Sequence, residues 1–547
     1  MFVRTKRSVG ANGEAYQYLQ IVRSVREGKK VHQKLVGTLG RRDELLASGE
    51  LDGLLRSLSS YTEKLAVVDR ANASGLRART SKAWGPPLVF GRLWERQGLP
   101  EVIARLARGR RFQFDIERCV FAMALQRLMA PGSDLQASSW VSTVEVEGFD
   151  QLCLQHFYRT ASFLHQVRAS LEQQLFERDR DLFSQSLDVV FLDTTSTYVY
   201  RDTATPWRKW GYSRDRRGDL PQLVICVVVD AAGWPVAWEV FPGNTADQPA
   251  FKQVIAILRE RLHIRRTVVV ADRGMISKDT LELLTGHVEA PFDYVLGCRM
   301  RRQKEINESV LSAHGPLEFV AHNLHVGEVV VEGRRYVVCR NEIEAEKDRA
   351  ARATLVEKLK ETLATSGPKS MVGNKGFARF LRVEKGAVSI NEDAVAADAR
   401  FDGTFVLTTN TKFSAAEVAT TYKSLWRVER AFRTEKSVLE VRPIYHHTDR
   451  NSIGHIVACF LALRLEVDLQ HRLDEKGVAV SWPDLMRDLA QVQAVLVEAD
   501  GKQYRLRTDL AGQAQAAFAA AGVRPPSLAT LLGPVPPSGE GGGDPEM

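Results

Sequence analysis

Paired cysteines and long apolar runs are both missing from this 547-residue chain. Its six cysteines, at positions 119, 153, 226, 298, 339 and 459, are scattered, with no CxxC and no Cys/His group at zinc spacing. A disulfide scaffold and a structural zinc site are thereby excluded, so the thiols are expected to be reduced and any metal to be held by oxygen ligands. The longest apolar runs, Leu223–Val229 and Ile456–Leu463, fall far short of the ~20 residues a membrane helix needs. The opening MFVRTKRSVG has no apolar signal region, and together with the short runs this predicts a cytoplasmic protein with no membrane partner. No internal repeat is visible. Acidic residues are scarce in one place. Residues 1–42 hold ten Lys or Arg against only Glu14 and Glu27, so this segment carries +8, equal to the formal net charge of the whole chain. A polyanion partner explains that concentration, and the bland alternative is a solvated edge hairpin kept soluble by its lysines.

What is present, 44% hydrophobic and 26% charged residues, is the composition of a globular protein of two to four domains. Residues 1–42 read as a basic β-hairpin arm, in which Tyr16–Val25 and Lys30–Leu39 alternate about the turn Arg26-Glu27-Gly28-Lys29. Residues 43–185 are mostly 3.6-periodic, with breaks such as Gly85-Pro86-Pro87 and Pro131-Gly132 and a basic turn at Arg105, Arg108, Arg110 and Arg111. By charge and by elimination, specific recognition of the partner is assigned to residues 1 to about 180, which take in most of this helical region. From Leu187 the pattern becomes βββαβαβ: strands ending at Asp193, Asp230, Pro242, Asp272 and Arg299, with helices from Ala246 and Ser277. That order predicts an α/β fold with a ribonuclease H-like mixed sheet whose first and fourth strands are parallel neighbours. Residues 186–299 are its first part. Residues 300–404 read as a β-rich insertion domain with one charged helix, and 405–475 as the second part of the core. A C-terminal helical region, 476–534, and a disordered Pro/Gly-rich tail, 535–547, complete the chain.

The densest signal lies in Ser414–Lys436. Ser414 with Glu417 forms a capping box, and at 100° per residue Val418, Tyr422, Leu425, Glu429, Phe432 and Lys436 fall within about 40° of one line. This predicts one long helix with Glu429 in the middle of an apolar stripe. A carboxylate so placed is either bridged internally, to Lys436 or an arginine, or bound to a cation. Asp193 and Asp272 tip the balance towards the cation. Each ends an apolar strand, the two strands are expected to be neighbours, and a Glu429 facing the sheet would join them. Three converging carboxylates call for Mg²⁺ or Mn²⁺, and two such ions ~3.5–4 Å apart can activate a hydroxyl and stabilise the leaving oxygen of a phosphodiester.

Three segments carry a resemblance: Leu192-Asp193-Thr-Thr-Ser-Thr, Ala271-Asp272-Arg273-Gly274-Met275, and the Ser414–Lys436 helix, with Gly211-Tyr-Ser-Arg-Asp215 and Phe241-Pro-Gly-Asn-Thr245 between them. Leu187 to about Leu469 resembles the DDE transposases of bacterial insertion sequences, in the insertion-sequence-four superfamily and its sixteen-thirty-four-like branch. The resemblance implies Asp193, Asp272 and Glu429 as catalytic metal ligands, and Tyr422 and Lys436 as contacts to phosphates near the scissile bond. The family's motif arginine is Leu425 here. Arg427, Arg430 and Arg433 are candidate replacements, and Arg273 a further candidate DNA contact. The function implied is metal-dependent cleavage at the terminal inverted repeats and strand transfer into target DNA by a homodimer in a synaptic complex. The alternatives are an RNase H-like nuclease without strand joining and a catalytically inactive DNA-binding protein of the same fold.

Overall fold

The computed structural model describes residues 1–9, 14–27, 30–59, 72, 73, 75–183, 187–287, 289, 291–300, 303, 305–366, 379–384 and 387–535. The described residues divide into two compact units, one built from 1–81, 494–507 and the stretch from 527, the other from 82–493 and 508–526.

In the first unit, β1 (Phe2–Val9), β2 (Ala15–Glu27) and β3 (Lys30–Arg41) form an antiparallel sheet with β2 in the middle. The expected hairpin is β2–β3, and β1 adds a strand to it with Phe2 opposite Val22 and Val9 opposite Ala15. Residues 28 and 29 of the expected turn lie outside the described residues. Helices Arg42–Ser48 and Glu50–Ser59 follow, then β4 (Arg77–Ala83).

The second unit opens with helices Gly85–Arg96, Leu99–Leu106, Ile116–Met129, Asp134–Trp140 and the 30-residue Leu154–Phe183. Next come β5 (Val189–Tyr198), β6 (Gln222–Asp230), β7 (Pro235–Pro242), β8 (Val268–Ala271) and β9 (Asp293–Gly297). The stretch 300–404 holds β10 (Glu318–Ala321), β11 (Leu324–Val331) and β12 (Arg334–Asn341), helices Glu342–Ser366 and Glu392–Ala399, and the two-stranded sheet of β13 (Leu381–Glu384) and β14 (Ala387–Ile390). With β15 (Thr404–Thr409), these strands build one nine-stranded sheet in the order β10-β11-β12-β15-β9-β8-β5-β6-β7. β5, β6 and β7 are an antiparallel meander and β8 lies parallel to β5, as the element order predicts, and on its other side β8 is parallel to β9. β15 runs antiparallel to both β9 and β12, so β10–β12 extend the same sheet.

Period-two alternation sorts the strand side chains into two cores. Leu223, Ile225, Val227 and Val229 of β6 join one apolar cluster, and Val224, Cys226 and Val228 join the other. The apolar run at Ile456–Leu463 lies in the helix Asp449–Glu475, which is capped by the Thr448 side chain and buried over most of its length against Leu154–Phe183 and Ile116–Met129. A helix apolar all round belongs in a core. Among the described residues no helix is long and apolar enough to cross a membrane.

Residues 476–534, expected to be helical, hold helices Trp482–Ala490 and Ala514–Ala521 together with β16 (Gln493–Ala499), β17 (Lys502–Arg507) and β18 (Ala529–Pro534). The last three and β4 form a four-stranded sheet, in which β16 and β17 are an antiparallel hairpin about the tight turn at Asp500-Gly501, both residues of which have positive φ. The tail beyond residue 535 lies outside the described residues.

Candidate active site

Strand register determines where the two aspartates stand. Leu192 of β5 is paired in parallel with Ala271 of β8, so the residues that follow, Asp193 and Asp272, emerge side by side. Alternation then sets their face. Phe191 and Val270, two positions earlier, belong to one core, while Val190, Leu192, Val269 and Ala271 belong to the other. Asp193 and Asp272 therefore point to the Phe191 side, where the helices after β15 pack.

Those helices are not the single rod the stripe predicts. Ala415–Lys423, with the expected Ser414/Glu417 capping box, stops at Ser424, and Trp426–Ser437 begins after Leu425. Between them the amides of Leu425, Arg427 and Val428 bond three residues back rather than four, to Tyr422, Ser424 and Leu425. This 3₁₀ tightening resets the helical phase. Glu429 is in consequence exposed, in the first turn of the second helix, and the buried carboxylate of that helix is Glu435, 1% exposed. Neither oxygen of Glu435 has a hydrogen-bond partner, and burial pushes its carboxyl up to about 8. The internal bridge to Lys436 is absent. Lys436 Nζ lies 3.0 Å from Asp215 Oδ1, and Arg442 Nε lies 3.1 Å from Asp215 Oδ2. Burial lowers the Lys436 ammonium and Asp215 holds it up.

Asp193, Asp272 and Glu429 line one cleft of about 440 Å³, with Tyr422, Leu425 and Phe405 also in its wall. The Tyr422 hydroxyl donates to Asp272 Oδ1 at 2.9 Å, and its ring stacks on Phe405 with centroids 5.9 Å apart. Burial first, then the Asp272 charge, hold the phenol well above its usual range, so it remains a donor. Gly297 of β9 permits this approach, since a Cβ there would collide with the Tyr422 hydroxyl. Arg430, Arg433 and Lys436 are outside the wall of this cleft, and Arg273 lines a second cleft, of about 570 Å³, that shares Asp272.

Two further groups complete the electrostatics. Asp247, in the first turn of the helix Asp247–Ala256, accepts from Thr194 Oγ1 at 2.8 Å and reaches over the Asp272 turn, where a Cβ on Gly274 would stand 2.6 Å from Asp247 Oδ2. β5 does not end at Asp193, where its apolar run stops, but continues to Tyr198 paired with β6, and Arg214 lies across its middle. Its guanidinium is 3.8 Å from Asp193 Oδ2 and 3.6 Å from Asp247 Oδ1, and it donates to the Thr194 carbonyl and hydroxyl. Burial pushes the Asp193 carboxyl up to about 6 against the pull of Arg214 and the Thr194 amide, and the charges of Asp272 and Asp247 add to the rise. Neither Arg214 nor Asp247 was assigned a role from the sequence. The available signals were that Arg214 lies in the quoted Gly211–Asp215 stretch and that Asp247 follows Asn244-Thr245 at a helix start.

The donor set is all carboxylate, as a hard divalent cation requires, with positive charge now supplied by Arg214. Among the described residues no three His, Cys, Asp or Glu are grouped closely enough to hold a metal ion. Asp193 and Asp272 are brought together by the sheet, and Glu429 stands on the facing wall.

Comparison with known proteins supplies the family. The Transposase DDE domain family matches residues 184–465, more than half of the chain, and the IS1634 family transposase N-terminal domain matches residues 3–71. No curated protein matches. A cryo-EM structure of the piggyBac transposase synaptic complex with hairpin DNA is similar at a TM-score of 0.38 and 11% identity, covering 74% of this chain and 79% of that one. On the two family matches, the chain belongs to the DDE transposases, is IS1634-like, and is a DNA transposase.

Proposed function

We propose that this transposase cleaves a phosphodiester at the ends of its own element and joins the freed 3′-hydroxyl to target DNA, with Asp193, Asp272 and Glu429 as the reacting carboxylates. The observation that carries this reading is the placing side by side of Asp193, midway along β5, and Asp272, just past the end of the parallel β8, with Glu429 in the wall of the same cleft. We read β5–β9 as a ribonuclease H-like core and the 300–404 stretch as its insertion. Asp193 and Asp272 would hold Mg²⁺ or Mn²⁺ with Glu429. The cation would supply polarisation of the attacking and leaving oxygens. The chain's own groups prepare the site. Tyr422 fixes the orientation of Asp272, Gly297 admits Tyr422, and Arg214 neutralises Asp193 and Asp247 until a cation takes over that charge. The loop that carries Arg214 is held through Asp215 by Lys436 and Arg442. In this reading Lys436 sets the loop that faces the substrate, and Tyr422, Arg273, Arg430 and Arg433 remain candidate phosphate contacts. The basic strands β1–β3 contact phosphates of the element's ends, two copies of the chain act together in the cytoplasm, and the ends are the terminal inverted repeats.

The test is incubation of the purified protein with its element's end DNA and Mg²⁺ or Mn²⁺, scoring cleavage and strand joining separately. Cleavage with joining is expected. Cleavage without joining would replace the reading by a nuclease, and binding without cleavage by an inactive DNA-binding protein.

A further inference from the structure

Asp193 and Asp272 share a cleft but are held in different ways. Asp193 lies within β5, its backbone paired opposite Val227 of β6. Asp272 stands one residue past the end of β8, beyond the ladder with β5. It opens a turn that the Met275 amide closes by donating to the Asp272 carbonyl at 3.0 Å. Like charges crowd that turn, since Asp193 lines the same cleft and Asp247 Oδ2 would stand 2.6 Å from a Cβ on Gly274. A carboxylate that is to hold a cation must nonetheless keep its place to roughly 0.5 Å.

Tyr422 holds the Asp272 side chain, and a second group holds the backbone beneath it. Leu296 of β9 is the parallel partner of Ala271, so the chain leaves β9 beside the Asp272 turn. There Arg299 Nε donates to the Arg273 carbonyl and Arg299 Nη2 to the Gly274 carbonyl, each at 2.9 Å. One planar fork thus spans two consecutive peptide carbonyls, a geometry that the single ammonium of a lysine does not reproduce. Arg299 is itself anchored. Its amide donates to Gln303 Oε1 at 3.1 Å and its carbonyl accepts from the Gln303 amide at 3.0 Å. One residue earlier, the Cys298 amide donates to the Val406 carbonyl of β15 at 2.8 Å.

We propose that Arg299 is a positioning residue of the reaction: by gripping the Arg273 and Gly274 carbonyls it aims the Asp272 carboxylate, acting on the backbone as Tyr422 acts on the side chain. The hydrogen-bonded supports of a metal-holding carboxylate set its orientation, and their loss weakens the metal although no ligand is removed. The inference rests on the reading of Asp272 as a cation ligand. Arg299 is half-buried, so water can replace the guanidinium at both carbonyls and the fold survives its removal. Two separate waters satisfy the carbonyls without fixing the turn. Arg299 also lines the second cleft beside Arg273, where a phosphate contact is the competing role.

The test compares the full-length protein with Arg299→Gln and Arg299→Lys, with Asp272→Ala as the reference. Mn²⁺ affinity is measured by calorimetry. In a chelator, hydrogen exchange of the peptide spanning residues 272–277 and affinity for end DNA are measured on the same proteins. Both Arg299 variants are expected to bind Mn²⁺ about 10- to 100-fold more weakly and to exchange faster in the turn, with end-DNA affinity and melting temperature nearly unchanged. Arg299→Lys, which keeps the charge and most of the bulk, carries the comparison alone if Arg299→Gln does not fold. Mn²⁺ affinity lost in Asp272→Ala but intact in the Arg299 variants would overturn the proposal and leave the cation reading standing. Affinity intact in Asp272→Ala as well would overturn both. Weakened end-DNA binding with unchanged Mn²⁺ affinity would make Arg299 a phosphate contact, and full retention of Mn²⁺ affinity by Arg299→Lys would overturn the grip of the fork.

Discussion

The cleft at Asp193 and the strands β1–β3 are both built from alternating sequence, yet alternation serves opposite ends in them. In β5 and β8 it divides side chains between two cores, and their parallel register delivers two carboxylates, one from the middle of β5 and one from just past β8, to one point. In β1 no residue is buried, on either face. A strand exposed on both sides has no core to fix its side chains, so Lys6 and Arg7 keep the freedom that a phosphate backbone accepts and a reacting centre does not tolerate, while Arg4 is held by Gln20 and Gln33. Preorganised chemistry is placed where packing is dense, and charge alone where it is absent.

The sharpest way to break this contrast is to remove one member from each region. Asp193→Ala, Asp272→Ala or Glu429→Ala should each lower end cleavage by about 10³-fold or more, the several kcal/mol a metal-centred site supplies, with affinity for end DNA retained in a binding titration. Cleavage that persists in Glu429→Ala would leave the site to Asp193 and Asp272 with another partner, Asp247 being the nearest.

In the arm the reverse is expected. Replacing Arg4, Lys6 and Arg7 together by Gln should weaken end binding by one to two orders of magnitude at low salt. The slope of log affinity against log salt should fall by about 0.9 for each phosphate no longer neutralised, and cleavage at saturating protein should be unchanged. An unaltered slope would return β1–β3 to a solvated sheet.

A smaller effect separates the regions by pH. Asp193 is held up to about 6, so its proton must leave before a cation binds. Mn²⁺ affinity measured by calorimetry should therefore fall about tenfold per unit as pH drops below 6, whereas binding by the arm should not follow this titration. The sign is opposite for the apo fold. A carboxyl raised in the folded state favours folding at low pH, and that contribution is lost as pH rises from the unfolded value of 3.8 through about 6.

The smallest expected effect concerns Arg214. If its guanidinium stands in for the cation, Arg214→Ala should tighten Mn²⁺ binding several-fold and lower the melting temperature of the apo protein, and Arg214→Lys should lie between the two. Unchanged Mn²⁺ affinity would make the arginine a strap for the Thr194 carbonyl and nothing more.

Much of this was legible in the chain because it depends on local order. The bounds of β6 and β7, the parallel pairing of β5 with β8, the Ser414/Glu417 cap and the placement of Asp193 and Asp272 all follow from runs of apolar residues, turn residues and element sequence, which act within a few positions. The strands of 493–507 were equally local and went unread, because a short apolar run between two helices does not by its own periodicity distinguish strand from helix.

What only the folded molecule decided lies in the phase of one helix and in pairings far apart along the chain. A stripe drawn at a constant 100° put Glu429 inside and left Glu435 unremarked. A few three-residue hydrogen bonds near Leu425 exchanged the two, since a small change in turn angle propagates to every later residue. Arg214 against Asp193 and Asp247, Lys436 against Asp215 and Tyr422 over Gly297 join residues separated by 20 to more than 200 positions. No periodicity encodes such pairs. They exist because the sheet register and helix packing bring charged ends to one place, where each must find a partner or bear the cost of burial.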